Sequence, residues 1–213
     1  MNKGTVRKII FGAMLAGFSA VSFSANLIIN GGFEDPTGTA IGGGGGWKYY
    51  SSSEVPGWDG SNIELWGTLG IESYEGDYHA ELNAHGQSQN AGPWSISQTF
   101  ATTKGQTYDL FFAYGARLGS ATDSNEAFRV DVDGLGFTLT DHIVGAWSTY
   151  SGSFVADGDF ATLKFSSVAQ DKWTYGNFLD DVSVTATPIP GSLTLLTLGL
   201  AGLGAVRRKA KAK

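Results

Sequence analysis

The chain contains no cysteine, which excludes disulfide staples, thiolate metal sites and a cysteine nucleophile. Charged residues are scarce, at 16% of 213 positions, while glycines number 31. That balance excludes a charged coiled coil and a helix-rich bundle. There is no Gly-x-Ser-x-Gly elbow, no His-Glu-x-x-His pair and no phosphate-binding glycine loop. Nor does any carboxylate pair stand out as an acid and base for glycoside hydrolysis, so the chain reads as a non-enzyme. Cations are scarce in the body. Three of the 14 basic residues stand in the first eight positions and five in the last seven. Six therefore remain between residues 26 and 187 against all 20 acids, a charge of −14. A body so acidic repels phosphate backbones, and no nucleic-acid partner is expected. Acidic surfaces do suit hard cations such as Ca²⁺.

Aromatic residues, by contrast, are plentiful: 13%, with 6 Trp and 13 Phe, supply apolar area for a core and exclude full disorder. The longest uncharged apolar runs stand at the two ends. Lys3, Arg7 and Lys8 precede the uncharged stretch 9–23, and small residues Ser22, Ser24 and Ala25 mark its exit. This is the layout of a secretory signal peptide over 1–25, too short for a membrane anchor. At the other end Pro188-Ile189-Pro190-Gly191 breaks any strand. An apolar run follows over 193–206, then Arg207, Arg208, Lys209, Lys211 and Lys213. Positive charge behind such a run holds that end in the cytoplasm and leaves the body outside.

The tail over 188–213 resembles the PEP-CTERM sorting signal of Gram-negative bacteria, with Ile189 where that motif has Glu. The resemblance implies export, an exosortase as processing partner, and transient inner-membrane anchoring through the hydrophobic sorting helix. The expected location is the cell surface or the extracellular space.

Between residues 26 and 187 no helical period is evident, and short alternating runs recur between turn residues. Strands are expected at Leu27–Asn30, Ile63–Trp66, Tyr78–Asn83, Ser95–Ala101, Tyr108–Arg117, Phe128–Asp133, Gly136–Thr140, Trp147–Val155, Ala161–Val168 and Asn177–Thr185. Tyr108–Arg117, apolar on both faces, reads as central. Asp133-Gly134 reads as a hairpin turn. The fold class is all-β, a single β-sandwich of jelly-roll type. Asp35–Trp58 reads as one long irregular stretch.

Two separated motifs carry a second resemblance. Asn26-Leu-Ile-Ile-Asn30-Gly31-Gly32-Phe33-Glu34 opens the body and Phe178-Leu-Asp180-Asp181-Val182-Ser-Val184 closes it, with Pro56-Gly57-Trp58 and Glu81-Leu82-Asn83 between. Together they resemble the galactose-binding-like jelly roll of carbohydrate-binding modules. They also resemble a family of unknown function found in plant cell walls and bacteria. The fold so implied sets the first and last strands side by side and carries a structural Ca²⁺ ion.

By period two, Phe178, Asp180, Val182 and Val184 share an inward face, and a buried carboxylate needs a partner. A Ca²⁺ ion on Asn30, Glu34, Asp180 and backbone carbonyls would meet that need. Hydrogen bonds from turn amides would meet it without metal. His79, Glu81, Asn83 and His85 alternate on one strand face. The two histidines lie about 20 Å apart when extended, too far to share an ion, so the set reads as the polar face of a half-buried strand or, on a concave face, as hydrogen-bonding groups for a sugar. Sugar recognition uses exposed aromatic rings with polar groups that fix orientation. Trp47, Trp173 and Tyr175 in loops, with the scarce Arg117 at a strand end, are the ligand-binding candidates; burial in the core is the other reading of each Trp. The expected function is non-catalytic binding of extracellular polysaccharide. The alternative is a structural matrix or biofilm protein without a discrete ligand.

Overall fold

The computed structural model describes residues 24–37, 41, 46–60, 62–67, 71–82, 94–117, 127–140, 143–168 and 176–188. The expected leader up to residue 23 and the tail beyond Pro188 lie outside the described residues, as do Asn83, His85, Trp173 and Tyr175. Ser24–Thr187 form one compact unit. Among the described residues the helical content is a 3-10 turn at Ser52–Glu54, and no helix is long and apolar enough to cross a membrane.

Among the described residues, eleven strands make two antiparallel sheets. The six-stranded sheet holds, in spatial order, β1 (Trp47–Tyr50), β3 (Ile63–Trp66), β4 (His79–Glu81), β11 (Asn177–Ala186), β6 (Thr107–Ala116) and β9 (Trp147–Val155). The five-stranded sheet holds β2 (Asp59–Gly60), β5 (Ser95–Ala101), β10 (Phe160–Ser167), β7 (Phe128–Val132) and β8 (Leu135–Leu139). From β4 onward the chain crosses between sheets at every step except the β7–β8 hairpin, as in a jelly roll. That hairpin turns at Asp133 and Gly134, whose φ angles of +39° and +76° suit a tight turn matched to strand twist.

Alternation fills the space between the sheets. Leu110, Phe112 and Tyr114 of β6 meet Leu163 and Phe165 of β10 and Phe128 and Val130 of β7. The Phe112 ring stands edge-on to Phe165 at 5.1 Å. Trp58 is a core residue: its ring stacks on Phe33 at 5.1 Å, and its indole N–H donates to the Asn30 carbonyl at 2.9 Å. Burying rings of this size stabilises by about 2 kcal/mol each from removed apolar area alone.

Three expectations need correction. The stretch Asp35–Trp58 is not wholly irregular, because it contains β1 and the 3-10 turn. Leu27–Asn30 is not a regular strand. It runs beside β11 through Leu27 N–H donating to the Val184 carbonyl at 2.8 Å, while Asn26 Oδ1 accepts from Val184 N–H at 2.9 Å. The opening and closing motifs are therefore neighbours. Third, Phe178 and Asp180 do not share a face with Val182 and Val184. The register of β11 on β6 shifts between Asp180 and Ser183, and Asp181 sits at φ +46°. This bulge inserts one residue and reverses the alternation. Leu179, Val182 and Val184 face the core, and Phe178 and Asp180 lie on the opposite face of the sheet.

Candidate functional site

The outer face of the six-stranded sheet concentrates the chemistry of this chain. Tyr49, Glu64, Glu81, Phe178, Gly115 and Trp147 are successive Cα partners across all six strands. Trp47, Trp66 and His79 form the adjoining row. Period two dictates this. Ile63, Leu65, Ala80 and Leu82 take the core side, so Glu64, Trp66, His79 and Glu81 take the other.

Trp66 is the base of one cluster. Its ring is buried beneath Trp47, stacked at 6.3 Å, and the Arg117 guanidinium lies 4.3 Å from its centroid. Such a cation over indole contributes about 0.5–2 kcal/mol. Trp47 keeps 47% of its surface in solvent, with Tyr49 edge-on beside it at 5.1 Å. Arg117 Nη1 also reaches Glu81 Oε2 at 3.6 Å and remains partly exposed.

Beneath Arg117 lie two carboxyl groups sealed from solvent. The Trp66 indole donates to Glu64 Oε1 at 2.9 Å, and the Gly176 N–H donates to Glu81 Oε1. Glu64 Oε2 has no hydrogen bond of good geometry among the described residues, although Tyr49 and Glu81 lie close enough to favour its ionised form. Burial pushes both acids above the ordinary carboxylate range, and for Glu81 the charge of Glu64 adds to burial. Arg117 opposes both shifts without cancelling them. Both shifts favour the protonated form of the pair. Tyr49 is pushed up to about 12, by burial first and then by these two charges. His79, also buried, is pushed down to about 3 and stays neutral, with Nδ1 3.0 Å from Ser73 Oγ.

A second aromatic cluster occupies the β6–β9 side. Tyr74, 44% exposed, leans on Trp147 at 6.1 Å and Phe111 at 6.4 Å. Trp147 also packs on His79 at 5.4 Å and Phe178 at 6.2 Å.

The family described as a protein of unknown function, DUF642, matches residues 26–185. The chain belongs to this family. No curated protein matches it. Solved structures similar to this DUF642 chain include a CBM4 protein, at 16% identity and TM-score 0.42 over 75% of this chain and 99% of that one. TmCBM61 in complex with β-1,4-galactotriose aligns at 14% identity and TM-score 0.45, over 77% and 100% of the two chains. A family 35 carbohydrate-binding module from Clostridium thermocellum aligns at 18% and 0.44, over 66% and 98%.

Of the ligand candidates, the DUF642 fold brings Trp47 and Arg117 together on Trp66. Trp173 and Tyr175 are outside the described residues. Trp66, Tyr74 and the Glu64–Glu81 pair escaped sequence reasoning. The signal available for the pair was the alternation of Ile63-Glu64-Leu65-Trp66 beside that of His79-Ala80-Glu81.

Glu34 and Asp180 do stand near one another, but their oxygens face amide donors. Asp180 Oδ2 accepts from Glu75 N–H at 2.9 Å and Oδ1 from Asp181 N–H at 2.7 Å. Glu34 Oε1 accepts from Asp77 and Tyr78 N–H at 2.9 and 2.8 Å. Asn30 Oδ1 is turned to Asp35 N–H at 3.2 Å. Each N–H would present its positive end to a cation at these oxygens. Among the described residues no group of three or more His, Asp or Glu side chains could hold a metal ion. A Ca²⁺ cage takes six to eight oxygens, of which the side chains of Asn30, Glu34 and Asp180 would supply only a part. Burial, opposed by these amides, still pushes Asp180 up to about 7.

Proposed function

We propose that this chain is a non-catalytic glycan-binding protein whose ligand lies across the outer face of the six-stranded sheet. The observation that carries the proposal is the pairing of two solvent-facing rings, Trp47 and Tyr74, on one sheet face, each braced from below by further aromatics. Trp47 belongs to the first strand of the sheet, and Tyr74 rests on the last two. Strands about 4.8 Å apart separate the rings by about 20 Å, room for an extended oligosaccharide. Pyranose rings present apolar faces to aromatics, and each stacked ring contributes on the order of 1 kcal/mol. Arg117 supplies hydroxyl-directed donors beside Trp47.

The same geometry argues against hydrolysis. Glu64 and Glu81 are 1% and 2% exposed, so neither carboxyl meets a glycosidic bond. Their role is to fix Arg117 and to hold a proton beneath it. A body of charge −14 disfavours strongly anionic polymers, so the ligand is neutral or weakly charged. Export through the leader, sorting through the 188–213 tail by an exosortase, and a cell-surface or extracellular location complete the proposal; they rest on the sequence at the two ends. A glycan array probed with wild type and Trp47→Ala tests the binding. Retained signal on neutral β-linked polysaccharides for wild type alone supports the proposal, and an empty array for wild type refutes it.

A further inference from the structure

Tyr74 is carried by a segment without regular pairing. Among the described residues, no backbone–backbone hydrogen bond ties residues 71–78 to a neighbouring segment. Side chains do so instead. The Trp147 indole N–H donates to the Glu72 carbonyl at 2.8 Å, and Ser73 Oγ meets His79 Nδ1 at 3.0 Å. Beyond Tyr74, Glu75 N–H donates to Asp180, and Asp77 and Tyr78 N–H both donate to Glu34. Gly76 lies between them at φ +62°, and a Cβ there would collide with the Glu34 carboxylate. Glu34 ends the opening motif of the body and Asp180 stands in the closing one. The two segments lie together on β11, where Val182 N–H donates to the Gly31 carbonyl at 3.0 Å.

We infer that Glu34 and Asp180 are positioning residues for Tyr74. This rests on the reading of the outer face as a glycan site. The two carboxylates take the place of sheet pairing for the loop. They grip its backbone immediately after Tyr74, and the ring is left pointing outward on Trp147 and Phe111. The β11 bulge is what makes this possible, because it keeps Asp180 on the outer face while Val182 returns to the core.

The hydrogen-bond chemistry separates the substitutions. Asp180 accepts at both oxygens, so Asp180→Asn must turn an NH₂ toward one of two N–H donors. Glu34 accepts both amides at one oxygen, so Glu34→Gln can keep both bonds with its carbonyl, while Glu34→Ala keeps neither.

The test uses the full chain and reads amide hydrogen exchange first, without ligand. Asp180→Asn should speed exchange at least tenfold at Glu75 or at Asp181, whichever N–H its NH₂ faces, and Glu34→Ala should do so at Asp77 and Tyr78. Glu34→Gln and the β6 amides of every variant should match wild type. Titration with cellopentaose and with β-1,4-galactotriose follows. Asp180→Asn and Glu34→Ala should weaken binding as much as Tyr74→Ala does. Combined with Tyr74→Ala they should add no further loss, and combined with Trp47→Ala their losses should multiply. Unchanged exchange in Glu34→Ala overturns the inference, even if Asp180→Asn does not fold. So does a loosened loop that leaves affinity intact while Tyr74→Ala reduces it. Absence of binding by wild type overturns the glycan reading instead, and the exchange data still decide whether the carboxylates hold the loop.

Discussion

Replacing Glu64 by Gln should make the protein more stable at alkaline pH and change its stability little at acid pH. Gln copies the protonated state of the Glu64–Glu81 pair. Its carbonyl can keep the bond from the Trp66 indole, and its NH₂ can donate to Glu81. Glu64 is pushed from 4.5 to about 7, with burial as the main cause. A folded pKa above the unfolded one means that the folded state holds the proton more tightly. The associated stability is complete below about pH 4.5 and is lost as pH rises through about 7. At 1.36 kcal/mol per pH unit the loss reaches about 3 kcal/mol. For a body of this size that corresponds to a fall of roughly 6–12 °C in melting temperature. Asp180 titrates in the same window, so the wild-type profile alone does not isolate the pair. The difference between wild type and Glu64→Gln does. Urea denaturation at pH 5, 7 and 9 should show wild type losing stability across this range more steeply than the variant, by close to one proton. Parallel profiles would refute a shared proton beneath Arg117.

Trp66→Ala should cost about 3–5 kcal/mol in stability, since the ring is buried beneath both Trp47 and Arg117, and a denaturation midpoint near wild type would contradict that packing. EDTA should leave the melting temperature unchanged, because amides already satisfy Glu34 and Asp180; a fall on chelation, abolished in Asp180→Ala, would restore Ca²⁺ to that site. Intact mass of the protein released by its native host should show loss of the segment beyond the Pro188 motif, and a complete C-terminus on released protein would rule out processing of the tail.

Much of the sandwich was legible because alternation and turn residues coincide. Ser95–Ala101 and Trp147–Val155 have the bounds their sequence suggests, and Asp133-Gly134 announces its hairpin. β1 was not legible. Its four residues follow a glycine run and carry no aliphatic side chain, so neither length nor alternation separates it from a loop. The bulge at Asp181 was invisible for a different reason. Asp is enriched at positive φ but mostly adopts other conformations, so Asp180-Asp181 does not announce a bulge, and one such residue reversed the face assigned to Asp180. Trp47 and Arg117 could be named from composition. Their common support, Trp66, could not, because the contact depends on the register of β1 against β3 and on where β6 ends. The same holds for Glu64 opposite Glu81, which lie on separate strands with a loop between them.

The central claim is that the outer sheet face, and Trp47 in particular, holds a glycan. The most direct measurement pairs affinity and stability on Trp47→Ala and Trp58→Ala. Affinity comes from titration calorimetry with the oligosaccharide that wild type binds most tightly, and stability from urea unfolding. Trp47 is half in solvent while Trp58 is sealed in the core. Trp47→Ala should weaken binding several-fold and leave the unfolding midpoint close to wild type, as loss of one stacked ring of about 1 kcal/mol requires. Trp58→Ala should lose about 3–5 kcal/mol of stability, and the folded fraction that remains should bind with wild-type affinity. Full affinity in Trp47→Ala would contradict the account and leave a structural matrix protein as the better reading of this fold.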